Sequence, residues 1–124
     1  MARILIIDDD IKVLETYCKM LDRAGYEVVI ADDGNSGIST FKENSPDLVI
    51  TDIFMPEKEG LETIRELKRN FPDVKIIAIS GGNVSRNIPP EHYLTLAKQF
   101  GAMCTLTKPI EREDLLKAVQ ECLS

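Results

Sequence analysis

The sequence predicts an α/β fold in which helices cover both faces of one parallel sheet. Three observations indicate it: short apolar runs without alternation, segments of helical spacing between them, and a regular exchange of the two along the 124 residues. Strands of a sheet that is covered on both faces have no polar side, so they read as continuous apolar runs. Strands that alternate with helices at this spacing are typical of right-handed βαβ units.

Five runs predict the strands. Most are rich in isoleucine, valine and leucine, residues that pack well within a covered sheet. The predicted strands span residues 3–7, 27–31, 47–51, 74–79 and 103–107.

The segments between the strands predict five helices. In the first, Leu14, Tyr17, Cys18 and Leu21 share one stripe, which we expect to face the core. Gly25 is placed to end this helix. The predicted helices span residues 11–24, 35–42, 61–69, 91–100 and 111–122.

The order of the strands is not fixed by their number. The flavodoxin-like order 2-1-3-4-5 is one of two common doubly wound arrangements, and we expect it here. In such sheets ligands bind beyond the carboxyl ends of the strands, at the point where the order reverses. A chain of this length forms one domain, expected over residues 1–124.

The composition excludes several classes of partner. The formal net charge is −6, whereas nucleic acids and anionic membranes attract basic surfaces, so we expect neither as a partner. No apolar stretch approaches the roughly 18–20 residues that span a bilayer. An apolar content of 44% argues against disorder.

The cysteines indicate a reducing compartment. Cys18, Cys104 and Cys122 are odd in number and widely spaced, which fits neither a disulfide framework nor a zinc site. We interpret them as free thiols. Strand-like residues begin by Ile4 without a secretory signal, so a cytoplasmic location is expected.

Charged and polar residues follow four of the five predicted strands. Asp8 and Asp9 follow the first, Asp52 the third, Ser80 the fourth and Lys108 the fifth. In the expected strand order these ends are neighbours, so the side chains should converge. Carboxylates held close together repel unless a cation neutralises them, and Mg²⁺ prefers such oxygen ligands.

These residue types favour phosphoryl chemistry. The carboxylate of Asp52 can accept a phosphoryl group as a nucleophile. The ammonium of Lys108 and the hydroxyl of Ser80 could each bind one phosphoryl oxygen. Taken singly, each residue has a simpler interpretation: a turn residue, a solvated lysine, or, for Asp10, the N-cap of the first helix. The joint pattern is what favours a site.

Six separated pieces of the sequence match the pattern of one family, in the same order. They are RILIIDDD (3–10), PDLVITDIFMP (46–56), Gly60, KIIAISGG (75–82), Gly101 with Ala102, and LTKPI (106–110). Over essentially its whole length the chain resembles the receiver domain of bacterial two-component response regulators.

The resemblance implies roles for individual residues. Asp52 would take a phosphoryl group from the phosphohistidine of a sensor histidine kinase or a histidine phosphotransfer protein. Asp9, Asp52 and the backbone carbonyl of Phe54 would bind Mg²⁺, with Asp8 acting through a metal-bound water. Ser80 would be the switch hydroxyl and Lys108 the phosphate-binding lysine, joined to Pro109 by a cis peptide.

Three features depart from the family pattern. Thr105 stands where a tyrosine or phenylalanine is usual, so no ring can turn inward when Ser80 shifts. The segment 81–90 is longer than is typical, and we hypothesise that it moves instead. Residues 57–60, with the sequence EKEG, form a more highly charged loop.

We therefore expect a signalling phosphoacceptor rather than an enzyme. It would act as a monomer or weak dimer on an unidentified protein target, or pass phosphate on as a relay or sink. Because the sequence ends directly after the fifth helix, a stand-alone module is favoured, and a fragment of a longer regulator is the alternative. One rival is a Mg²⁺-dependent phosphohydrolase with Asp8 as nucleophile and Asp10 as acid. A flavin-binding protein is disfavoured, because acidic residues follow the first strand where flavin phosphate would bind.

Overall fold

The computed structural model describes residues 2–53, 60–80 and 90–124, the side chains of 90–94 excepted. In these ranges five strands alternate with five helices, as predicted. The strands are β1 (Arg3–Ile7), β2 (Glu27–Ala31), β3 (Leu48–Asp52), β4 (Ile76–Ser80) and β5 (Cys104–Thr107). The helices are α1 (Ile11–Arg23), α2 (Gly34–Asn44), α3 (Gly60–Asn70), α4 (Pro90–Phe100) and α5 (Arg112–Leu123).

The sheet is parallel throughout, and its order, β2-β1-β3-β4-β5, confirms the prediction. The carboxyl ends of the strands lie nearly level. Ile7 pairs with Thr51, Asp52 with Ile79, and Ser80 with Thr107. Residues that follow β1, β3 and β5 are therefore carried to one edge of the sheet.

Two apolar cores lie on opposite faces of the sheet, because successive strand residues point to opposite sides. Leu5, Ile7 and Val49 belong to the core shared with α2, α3 and α4. Ile4, Ile6 and Ile50 belong to the core shared with α1 and α5. All of these strand residues are fully buried, which explains why the runs carry no polar alternation.

The helix boundaries differ from prediction where side chains cap the ends. Asp33 accepts a hydrogen bond from the Ser36 amide at 2.7 Å, so α2 begins at Gly34. Cys18 was expected to face the core, but it is only half-buried. The inward stripe of α1 is narrower than expected and holds Leu14, Tyr17 and Leu21.

Strand β4 begins two residues later than expected. The amide of Val74 donates to the carbonyl of Phe71 at 2.9 Å, which places Val74 in the turn after α3. Among the described residues, no helix is both long enough and apolar enough to cross a bilayer.

Gly60 places α3 directly against the end of β3. Its amide donates to the carbonyl of Ile53 at 2.8 Å. A Cβ atom at this position would overlap the carbonyl oxygen of Asp52 and lie 2.6 Å from the Cα of Ile53. Because both obstacles are backbone atoms, they cannot rotate away, and only glycine fits without displacing the helix.

We predict that Gly60→Ala lowers the free energy of unfolding by about 3 kcal/mol, because overpacking against backbone cannot relax locally. Urea unfolding followed by circular dichroism measures the change. Gly25→Ala is the matched control: φ there is 95°, but nothing lies within 4 Å of an added Cβ. It should cost about 1 kcal/mol. Equal losses of unfolding free energy at the two positions would contradict the close approach of α3 to the backbone of β3.

Candidate functional site

The carboxyl edge of the sheet holds most of the predicted site. Backbone hydrogen bonds continue past the strand ends and fix the residues that follow. The amide of Asp8 donates to the carbonyl of Ala31 at 3.2 Å, and the amide of Lys108 donates to the carbonyl of Ser80 at 2.8 Å. Asp52 is itself the last residue of β3.

Three carboxylates meet at this edge. One oxygen from each of Asp8, Asp9 and Asp52 can be chosen so that all three lie within 4.8 Å of one another. The side chains of Asp8 and Asp52 are 2% and 6% exposed, whereas Asp9 is exposed to solvent. Hard oxygen ligands in this number fit Mg²⁺, which commonly takes one or two carboxylates and retains several waters.

Among the described residues, Lys108 is the cation that contacts the buried carboxylates of the cluster. Its Nζ lies 3.1 Å from Oδ2 of Asp8 and 3.7 Å from Oδ2 of Asp52, so the ammonium bridges the two buried carboxylates. The Lys108 side chain is 20% exposed, so this ion pair is poorly screened by water. Set against Asp8, Asp9 and Asp52, one ammonium leaves two negative charges in excess when all three carboxylates are ionised.

Burial and charge compete in setting the protonation of these groups. Burial raises the pKa of Asp8 and outweighs the amide of Asp10 and the ammonium of Lys108, both of which lower it. For Lys108, burial disfavours the ammonium, but Asp52 and Asp8 together outweigh it and raise the pKa. The lysine therefore remains charged at neutral pH.

Asp10 does not belong to the cluster but supports it. Its side chain caps α1 by accepting from the amides of Lys12 at 3.0 Å and Val13 at 3.4 Å, so the capping interpretation is confirmed. Its own amide donates to Oδ1 of Asp8 at 2.9 Å. This bond holds Asp8 with its other oxygen towards Lys108.

Ser80 lies beside the cluster on the neighbouring strand. Its side chain is fully buried, and Oγ has no hydrogen-bond partner among the described residues. By strand alternation Ser80 follows Ala78 towards the α2–α4 face, whereas Asp52 follows Ile50 towards the α1 face. A buried hydroxyl without a partner costs free energy, and one at this edge is available to a bound anion.

The remaining predicted positions divide into two groups. Phe54, the loop over residues 57–59 and the segment over residues 81–89 lie outside the described residues. Thr105 is half-buried in β5 opposite Ala78, on the same face as Ser80. The Lys108–Pro109 peptide bond is cis, as expected.

Two contacts were missed from the sequence. The first is the direct pair that Asp8 forms with Lys108, 100 residues away; the role expected of Asp8 through a metal-bound water stays a prediction. The fit of Gly60 against the backbone of Asp52 was also missed, since helical periodicity carries no signal for a close approach between backbones. The family motif contained this glycine without explaining it.

Comparison with known proteins places the chain among signalling domains. A family model for the response regulator receiver domain matches residues 4–120. Protein PilH of Pseudomonas aeruginosa is 32% identical over 124 residues, which is 100% of this chain and 99% of PilH. Response regulator MprA of a Mycobacterium species is 34% identical over 122 residues, but this is 98% of the chain and only 50% of MprA. The chain thus spans nearly all of one relative and half of another.

Solved structures agree with this match. A response regulator receiver domain protein from Clostridium thermocellum superimposes with a TM-score of 0.89 at 33% identity, covering 99% of this chain and 94% of that one. Chemotaxis protein CheY4 of Vibrio cholerae gives a TM-score of 0.86 at 29% identity, covering 99% of both.

The Lys108 bridge predicts a large effect on stability. Lys108→Met should lower the free energy of unfolding by about 3 kcal/mol, because it leaves the buried carboxylate of Asp8 without its cation. Lys12→Met removes an exposed lysine from α1 and should change it by less than about 0.5 kcal/mol. Urea unfolding without divalent metal measures both.

A second substitution separates the ion pair from general packing. In the Lys108→Met background, Asp8→Asn should recover part of the lost stability, since it removes the isolated charge. Strictly additive losses in the double variant would show that the two groups do not depend on each other.

Proposed function

The chain belongs to the response regulator receiver domain family, and we propose that it takes a phosphoryl group onto Asp52 and signals to a protein partner. One observation carries the proposal: the buried carboxylate of Asp52 lies beside the Lys108 ammonium, within a cluster of acidic side chains suited to a divalent cation. The proposed domain is the whole of residues 1–124, working in the cytoplasm. The donor is the phosphohistidine of a sensor histidine kinase or of a histidine phosphotransfer protein.

The transfer step exchanges one bond to phosphorus for another. A carboxylate oxygen of Asp52 attacks phosphorus, and a P–O bond forms as the P–N bond to the donor imidazole breaks. The imidazole nitrogen leaves with the electron pair. Such transfers depend mainly on positioning and on neutralising charge, which is what the surroundings of Asp52 supply.

Lys108 and Ser80 are proposed to bind the phosphoryl oxygens. The ammonium is already 3.7 Å from Asp52 and would move from the carboxylates to a phosphoryl oxygen, where the charge is greater. The hydroxyl of Ser80 is free to donate, because no described residue competes for it. Ser80 ends β4 and Lys108 follows β5, both at the same edge of the sheet as Asp52, so we propose that each binds a different oxygen.

Asp8, Asp9 and Asp52 are the residues proposed to hold Mg²⁺, together with the backbone carbonyl of Phe54, which lies outside the described residues. Bound there, Mg²⁺ would neutralise the excess negative charge of the cluster and of the arriving phosphoryl group. The donor set supports this assignment, because all of its side-chain ligands are carboxylate oxygens.

The output of the domain is proposed to be contact with another protein, as a monomer or weak dimer. MprA is a response regulator of which this chain matches half, whereas PilH is matched over nearly its whole length. A relay or sink role would use the same chemistry at Asp52. With Thr105 on the same face of the sheet as Ser80 in place of an aromatic ring, the change that reports phosphorylation must be carried by another segment.

The phosphoacceptor is tested by mass. After incubation with Mg²⁺ and acetyl phosphate, intact mass spectrometry should show a gain of about 80 Da, one phosphoryl group, in the unmodified protein. Asp52→Asn should show no gain. Asp33→Asn, which changes a carboxylate that caps α2, is the matched control and should keep the gain. A gain retained in Asp52→Asn but lost in Asp8→Asn would favour the rival phosphohydrolase.

The metal site is tested by comparing neighbouring carboxylates. Asp9→Asn should weaken Mg²⁺ binding about tenfold or more, because it removes a charged ligand from the cluster. Asp10→Asn removes an equal charge one residue away, keeps a side chain that can cap α1, and should weaken binding less than about threefold. Isothermal titration calorimetry after removal of metal with a chelator measures both, and equal losses would contradict the assignment.

A further inference from the structure

Tyr17 is a buried polar residue to which the proposed transfer assigns no role. It lies on the inward face of α1 between Leu14 and Leu21, and it is 6% exposed. Its ring packs in the core shared by α1 and α5. At this position the sequence alone indicates an ordinary core residue, since Tyr17 falls on the apolar stripe of α1.

Tyr17 and Lys108 line the same open cavity. The cavity has a volume of about 460 Å³ and lies between α1 and the segment that follows β5. Lys108 lines this cavity, and its ammonium also contacts the buried carboxylates of Asp8 and Asp52. Open volume therefore adjoins the lysine that bridges the two carboxylates.

The other residues that line the cavity are poor hydrogen-bond acceptors for the ammonium. Val13, Pro109 and Ile110 are apolar, and Lys12 carries a charge of the same sign. The hydroxyl of Thr16 donates to the backbone oxygen of Lys12 at 2.8 Å. By contrast, no hydrogen bond joins the Tyr17 hydroxyl to another residue in the part of the chain that the structure describes.

The pKa of the Tyr17 hydroxyl depends on Lys108 and the carboxylates that Lys108 contacts. Burial raises the pKa of Tyr17, so its hydroxyl is neutral. The charged groups that act on it are Lys108, which lowers the pKa, and Asp8 and Asp52, which raise it. The phenol thus lies within electrostatic reach of the groups that form the proposed phosphoryl site, although it belongs to a different element.

We propose that Tyr17 is a positioning residue that keeps the Lys108 ammonium within reach of Asp52 while the lysine changes partners. Lys108 must loosen its pair with Asp8 in order to bind a phosphoryl oxygen, and its four-carbon stem is flexible. Tyr17 lines the same cavity as Lys108, and a phenolic oxygen is a neutral acceptor for an ammonium. This inference rests on the proposed function, because it concerns the same lysine.

Removal of the hydroxyl alone tests the role. Tyr17→Phe keeps the ring and should slow phosphorylation of Asp52 by acetyl phosphate about three- to tenfold at saturating Mg²⁺, the range expected when one hydrogen bond of ordinary strength is lost. Tyr26→Phe is the matched control: Tyr26 packs against the same core, but it lies just before β2 at the opposite edge of the sheet. Its rate should stay within about 1.5-fold of the unmodified protein.

A double-mutant cycle distinguishes positioning from packing. Tyr17→Phe and Lys108→Met are compared singly and together by urea unfolding without metal. This measurement gives a free energy of unfolding for every variant, including those that are not phosphorylated. We expect the two effects to be coupled by at least about twofold in the unfolding equilibrium constant. An unchanged phosphorylation rate in Tyr17→Phe, or strictly additive effects on unfolding, would overturn the inference.

These outcomes are separate from a failure of the proposed function. If the unmodified protein gains no phosphoryl group at Asp52, the proposed function is wrong. If it gains one and Tyr17→Phe reacts at the same rate, only the role of Tyr17 is wrong.

Discussion

The structure depends on one electrostatic constraint: like charges are gathered at a buried edge and need a cation. Asp8 and Asp52 are almost completely shielded from water, and Asp9 brings a third carboxylate within 4.8 Å. In the form described, the bridge from Lys108 offsets part of this repulsion. The remaining negative charge favours the binding of a further cation. It also makes the position of the Lys108 ammonium sensitive to what binds at Asp52.

The parallel sheet is what creates this constraint. Helical crossovers return every strand in the same direction, so residues far apart in sequence end at one edge. Hydrogen bonds from the amides of Asp8 and Lys108 extend the sheet by one residue beyond β1 and β5, and the amide of Asp10 orients the carboxylate of Asp8. The two apolar cores pack against the strands that carry these positions. The charges are thus placed by backbone geometry before any ligand arrives.

Much of this architecture could be predicted from sequence, for identifiable reasons. The isoleucine-rich runs predicted the positions of the strands, because both faces of the sheet are buried. The charged residues that follow those runs predicted the convergence of Asp8, Asp9, Asp52 and Lys108. The direct Asp8–Lys108 pair could not be predicted, since it depends on side-chain directions rather than on pattern. The half-buried Cys18 was misplaced because a stripe on a helix does not reveal how wide its buried face is.

The central claim is tested most directly by a crystal structure of the protein with Mg²⁺ and beryllofluoride, which mimics a phosphoryl group. The account predicts beryllium bonded to a carboxylate oxygen of Asp52, the metal among Asp8, Asp9 and Asp52, and the Lys108 ammonium moved from Asp8 to a fluorine. Beryllofluoride bonded to another residue, or an Asp52 adduct with Lys108 still paired to Asp8, would contradict it.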